Sequence, residues 1–476
     1  MRSFLLLPVL AFAVPVAAQT PTFDVVITGG RVIDPETRLD GIRNVGIRDG
    51  KILVVTEAPI RGRSTIDARG LVVAPGFIDL HAHTQNDEGY RIYAMDGVTS
   101  ALELEVGTED IPGFYAERAG TARVNFGASV GHLRHRMKVF GDPGAFLPSG
   151  DGGRGVATPA QLEAVRTRVA AGLADGGLGV GFGLQYAPGT TRWEVLEMFR
   201  TAARAKAPVF VHNRAFGMSE PGGVVESFVE VIGAAAITGV QLHIVHLNSM
   251  SLGETPKTLR IVQEARDRGL PVTTEAYPYS AGQTRIESAL LDQYESAPDS
   301  VLAKLQWVKT GERLTRETFR KYRQEGGSVI LHLNTPEMEA LAIQSPLTAI
   351  ASDAGISNGQ GHPRTAGTYA RVLGHYVREN QSLSLMEAIR KSALLPARVL
   401  EAWAPVFRAK GRLQQGMDAD VIVFDPTTVI DRATYENPGA YAEGFRHVLV
   451  NGVAVVRDGA LVEGVFPGRG LRAGSR

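Results

Sequence analysis

The chain has 476 residues, 44% of them hydrophobic, and its 50 basic residues balance 50 acidic ones. That length supplies a large core, spread over two or three domains or over one α/β barrel with additions. The even charge balance argues against nucleic acid or an anionic membrane as the main partner. With no cysteine, disulfides and a lipid-anchor cysteine are excluded.

Arg2 precedes an apolar run, Phe4 to Ala18, that ends Val16-Ala17-Ala18. Residues 1–18 read as a secretory signal peptide. The run is too short for a transmembrane helix, and Pro8 and Pro15 interrupt it. The expected location is periplasmic or secreted, with no membrane partner after cleavage. Short strands follow: Asp24–Thr28, Arg31–Ile33, Val45–Ile47 and Lys51–Val55, with Gly29-Gly30 and Asp49-Gly50 as hairpin turns. The far end repeats the pattern in Ala419–Phe424 and His447–Val456, with Asn451-Gly452 as a turn. Residues 19–74 and 408–476 are expected to build one small β-sandwich from both termini.

Residues 75–407 alternate instead. Strand-like runs recur at Leu71–Leu80, Thr99–Val106, Val124–Val130, Gly179–Leu184, Val209–His212, Gln241–His246, Val272–Glu275 and Thr348–Ser352. Helical patterns such as Thr158–Asp175, Trp193–Ala205 and Thr255–Arg268 separate them. Strands alternating with helices imply βα units and a parallel sheet, and eight strands fit a barrel. Residues 281–345 are too long for one βα unit and are expected to form a helical insertion near the active face.

The polar residues fall at the ends of these strands. The run Leu71–Leu80 ends in His81-Ala82-His83, two imidazoles on one face. Glu103 and Glu105 sit late in the second strand, His212 and His246 end the fifth and sixth, and Asp353 follows the eighth. Catalytic groups of α/β barrels gather at the carboxyl-terminal strand ends. Neutral imidazoles and carboxylates suit zinc or another divalent ion. Such an ion lowers the pKa of bound water toward ~7. Asp353 can accept that water's proton and pass it to a leaving amine. This is the chemistry of an amide hydrolase.

Beyond these residues the chain resembles the N-acyl-D-amino-acid deacylases (D-aminoacylases) of the amidohydrolase superfamily. The likeness runs through Gly97-Val-Thr99, Gly131-His-Leu-Arg134, Gly183-Leu-Gln-Tyr-Ala-Pro-Gly189 and Tyr277-Pro-Tyr279. It continues in Ser352-Asp353, His362-Pro-Arg364, Leu395-Pro-Ala-Arg398 and Lys410-Gly-Arg-Leu-Gln-Gln-Gly416. The resemblance implies a distorted (β/α)8 barrel with a β-sandwich, one or two zinc ions (other divalent metals being possible) and hydrolysis of N-acyl amino acids. It implies His81, His83, His212, His246 and Asp353 as metal ligands, with Asp353 as general base and acid. The family's strand-two cysteine ligand is absent; Glu105, nearer the strand end than Glu103, is expected in its place. No lysine lies between Gly176 and Gly189 to serve as a carboxylated bridge. The resemblance assigns the substrate's α-carboxylate to Arg364, helped by Tyr277 and Tyr279. A family lysine two residues after the strand-six histidine is here Asn248, so Arg134 and Arg214 are expected to supply further positive charge. The alternatives are another cyclic-amide or dipeptide hydrolase of the superfamily, or a non-catalytic binding protein on the same fold.

Overall fold

The computed structural model describes residues 23–217 and 220–474; the signal-peptide expectation for residues 1–18 lies outside them. Eight strands, Phe77–Asp79, Val98–Thr108, Asn125–Gly131, Val180–Gly183, Val209–His212, Leu242–Ile244, Val272–Ala276 and Thr348–Ile350, form one sheet in chain order. Every neighbouring pair is parallel. Nearly all their residues are buried, because helices cover the outer face and side chains fill the inner one. The helices announce themselves locally: Pro159–Ala174 starts on a capping box made by Thr158 and Gln161.

The barrel closes beyond the ends of its first and eighth strands. The His83 N–H donates to the Ala354 carbonyl at 2.9 Å, and the Ala354 N–H to the His81 carbonyl at 3.1 Å. The Asp79 carboxylate accepts from the Ser352 N–H at 3.1 Å and from its hydroxyl. The seam therefore lies at the carboxyl-terminal mouth, and it carries His81, His83 and Asp353.

Two sequence expectations change here. The run Leu71–Leu80 is two strands, not one. Val72–Pro75 pairs with Phe23–Asp34 and Val421–Phe424 in the terminal sheet, whereas Phe77–Asp79 opens the barrel. The break is at Gly76, packed so closely on Thr99 that a Cβ would stand 2.3 Å from it. Gly29-Gly30 is not a hairpin turn. The strand runs on from Phe23 to Asp34 through an irregularity at those glycines, with Gly29 at φ +69°. The turns at Asp49-Gly50 and Asn451-Gly452 do join antiparallel strands.

Strands from both termini form one nine-stranded sheet over a core that includes Ile27, Val45, Ile52, Val421, Val423 and Leu449. Residues 281–345 carry helices, among them Arg316–Glu325 and Pro336–Gln344, and beside them a small sheet that the sequence did not announce. Gly282–Arg285, Leu305–Trp307 and Ser328–Leu331 pair antiparallel. Trp307 stacks on Tyr322 of the helix Arg316–Glu325, ring centres 4.4 Å apart. Strands of three and four residues are too short to show a period of two. The insertion's core reaches Leu147 and Tyr186 of the barrel, which places it over the mouth. No helix among the described residues is long and apolar enough to cross a membrane.

Candidate metal centre and active site

The second strand decides where the carboxylates go. Its pairing with the third steps from Glu103↔Ala128 to Thr108↔Val130. Five residues on one strand oppose two on the other, so Leu104–Gly107 bulges. Gly107 turns the chain at φ +66°. The bulge lies across Gly181 of the fourth strand, where a Cβ would meet the Glu105 carbonyl at 2.3 Å. It gives two glutamates that a regular pleat would place side by side two different tasks. Glu103 accepts from the Val106 and Gly107 N–H groups at 3.1 and 3.2 Å and from His83 Nδ1 at 2.7 Å. Glu105 reaches the barrel axis.

There it joins two groups of donor atoms. In the first, His81 Nε2 lies 3.0 Å from Glu105 Oε2, 3.1 Å from His83 Nε2 and 3.4 Å from Asp353 Oδ1. His83 Nε2 lies 3.2 Å from Glu105 Oε2 and 3.3 Å from Asp353 Oδ1. In the second, Glu105 Oε1 is 2.5 Å from His212 Nδ1 and 3.4 Å from His246 Nε2, and those two nitrogens are 3.1 Å apart. Tetrahedral N and O donors at 2.0–2.2 Å from zinc stand roughly 3.3 Å from one another. The five distances given for the first group all lie near that spacing.

The tautomers agree. His81 Nδ1 faces Glu275 Oε1 at 2.7 Å and His83 Nδ1 faces Glu103. Carboxylates only accept, so both Nδ1 atoms carry protons, and the two Nε2 atoms, which point inward, carry either a second proton or a metal ion. Two ring nitrogens and two carboxylate oxygens then meet, an arrangement that calls for positive charge between them, a proton on the ring or a metal ion in its place. The charges say the same. Burial would push the His81 imidazole down, but Asp353 and Glu105 outweigh it and hold it up at about 10. Burial would raise the Glu105 carboxyl, but His81 and His212 keep it well below the usual range. His212, pushed down by its burial, favours the neutral form that binds metals. Asp353 is also held down against burial, by Arg364 and His81. His246 and Asp353 adopt left-handed backbone, φ +31° and +51°, a strain typical of functional positions.

Beside this centre, Arg364 is 2% exposed. It donates through Nη2 to Asp353 Oδ2 at 2.8 Å and lies 4.5 Å above the Tyr277 ring. Its Nε and Nη1, and the Tyr277 hydroxyl, have no hydrogen-bond partner among the described residues. Tyr279 instead donates to Asp431 at 3.2 Å. Asn248 donates to the Tyr277 carbonyl at 2.9 Å and brings no charge. Arg134 and Arg214 are not brought to the centre as free cations. Arg134 grips Glu109 at 2.7 and 3.0 Å and the carbonyls of Ala145 and Phe146, which sets the Phe146 ring 5.3 Å from that of His83. Arg214 is paired with Glu230 at 2.7 Å.

Sequence reasoning missed Glu275. Burial would raise its carboxyl, but hydrogen bonds to His243 and His81 bring it down to about 2. Its place at the end of the seventh strand is the same signal that marked the others. Gln185, whose Oε1 lies 3.0 Å from His212 Nε2, carried no such signal.

An eight-stranded α/β barrel with histidines and carboxylates converging at its carboxyl-terminal mouth defines a metal-dependent hydrolase. The chain belongs to the amidohydrolase family, whose sequence profile (Amidohydro_3) matches residues 64–130 and 149–456. It is 31% identical to an N-acyl-D-glutamate deacylase of Alcaligenes xylosoxydans xylosoxydans, over 91% of this chain and 93% of that one. It is 28% identical to a D-aminoacylase of the same organism, over 95% and 98%. Among solved structures, it resembles the N-acyl-D-glutamate deacylase of Bordetella bronchiseptica complexed with zinc and a phosphonate inhibitor. That match has TM-score 0.81 and 28% identity, and covers 95% of this chain and all of that one.

Proposed function

We propose that this chain is a metal-dependent deacylase that releases an amino acid, of D configuration, from its N-acyl derivative. The observation that carries the reading is Glu105 joining two donor groups beside Asp353 and Arg364. His81, His83, Glu105 and Asp353 would hold one divalent ion, zinc first; Glu105, His212 and His246 are the candidates for a second. When bound, such an ion supplies Lewis acidity at the amide carbonyl and a water that ionises near neutral pH.

The chain's own groups do the rest. Asp353, kept ionised by Arg364 and His81, accepts the proton of the attacking water and returns it to the leaving amine. Arg364 offers its unpaired Nε and Nη1 to the α-carboxylate, which a planar guanidinium fork grips bidentately. The Tyr277 hydroxyl, also unpaired, supports that end of the substrate. Glu275 and Glu103 fix the rings of His81 and His83. The D configuration rests on the names of the relatives, and a periplasmic location on the run Phe4–Ala18. The test is hydrolysis of N-acetyl D- and L-amino acids by the zinc-reconstituted protein. Turnover of D substrates is expected; a metal-loaded protein that hydrolyses none would reject the reading.

A further inference from the structure

Two pockets meet at the metal centre, sharing Tyr186, Gln283, Thr284 and Asp353. The one beside His212 and His246 is walled by Phe216, Met250, Leu252, Leu290, Leu331 and Leu333. Its remaining polar groups are neutral amides and hydroxyls, such as Gln283, Asn334 and Ser249, and Asp353 is its one charged carboxylate among the described residues. No lysine or arginine among the described residues lines it. The other pocket, beside His83, carries Arg364 and Arg285. Arg285 is already matched by Glu287 at 2.8 Å, with its side chain 41% exposed. Arg364 is therefore the buried cation with unpaired nitrogens beside either pocket, while Arg285 is partly exposed and shared with Glu287.

We propose that the substrates are N-acyl derivatives of neutral, mainly apolar amino acids, and that acidic ones are rejected. The inference rests on the deacylase reading and refines it. An N-acyl amino acid always brings one carboxylate, and Arg364 meets it. Glutamate or aspartate brings a second. In the apolar pocket that carboxylate would face Asp353 and a wall of leucines. In the other pocket it would compete with the first for Arg364, or with Glu287 for the partly exposed Arg285. A carboxylate buried without a partner is costly whichever arm of the substrate enters which pocket. Likeness to the 31% identical N-acyl-D-glutamate deacylase would suggest the opposite preference.

The experiment compares kcat/KM of the zinc-loaded, full-length protein on N-acetyl leucine, methionine, glutamate and aspartate, in both configurations. A preference of about a hundred-fold for the neutral pair is expected. A ratio under tenfold, or an acidic preference, overturns the proposal and leaves the deacylase reading standing. No turnover of any member overturns both. In Leu333→Arg, which adds a cation to a half-buried wall position, the neutral-to-acidic ratio should fall at least tenfold. An unchanged ratio in a variant that melts like the parent would overturn the pocket's role.

Discussion

Two buried polar clusters sit at opposite ends of the barrel strands, and they are built on opposite rules. At the amino-terminal end, Lys410 Nζ donates to Asp420 at 2.7 Å and to Asp418 at 3.1 Å. Asp418 also takes Lys51 at 2.5 Å. Asp420 accepts from the Asn451 N–H at 2.7 Å and from Asn125 at 3.0 Å. These groups tie the terminal sheet to the start of the third barrel strand, and each carboxylate meets its donors. At the carboxyl-terminal end the accounts do not close. The Nε2 atoms of His81 and His83 crowd the oxygens of Glu105 and Asp353, while Arg364 and Tyr277 hold donors with no acceptor among the described residues. A balanced cluster joins layers, and an unbalanced one is completed by what it binds. Active-site ends and stability ends of barrels divide in the same way.

Removing metal with a chelator should have the largest effect. Hydrolysis should fall to background and return with Zn²⁺, while the balanced cluster keeps the fold intact by circular dichroism. Full activity in a preparation shown to be metal-free by elemental analysis would contradict this. Asp353→Asn keeps the shape but removes the proton acceptor, so kcat should fall roughly a hundred- to ten-thousand-fold. Wild-type turnover would rule out its role as base. Arg364→Met should lower kcat/KM on N-acetyl amino acids about ten- to a hundred-fold, the loss of a charged hydrogen bond. It should spare substrates with an amidated carboxylate. Equal losses on both would mean that Arg364 only supports Asp353. At the other end, Lys410→Met takes from the buried Asp420 its only cation among the described residues, leaving it its amide donors, and leaves Asp418 to Lys51. It should cost roughly 3–5 kcal/mol of stability in denaturant melts, with kcat/KM unchanged while folded. A loss of activity at full stability would erase the contrast between the ends.

The sequence shows most of one end and little of the other. His81, His83, His212, His246 and Asp353 stand where apolar runs stop, so the barrel and the convergence of these candidate ligands could be read from period and position. The bulge at Leu104–Gly107 could not. It depends on a third strand pairing past it and on Gly181 leaving room beneath, both distant in sequence. Glu275 sat in plain view at a strand end, but its partner His81 is 194 residues away. The strands of the insertion were hidden by their shortness, and the break at Gly76 by apolar residues on both sides. Lys410, Asp420, Asn125 and Asn451 come from four separate segments and look like ordinary surface residues until the two layers are stacked.

The bulge turns Glu105, and not Glu103, toward the proposed metal site. Anomalous X-ray diffraction from zinc-loaded crystals tests that directly. The expected result is an ion within ~2.5 Å of His81 Nε2, His83 Nε2 and a Glu105 oxygen, with Glu103 still on His83 Nδ1. An ion bound by Glu103, or no ion near either carboxylate, would contradict it.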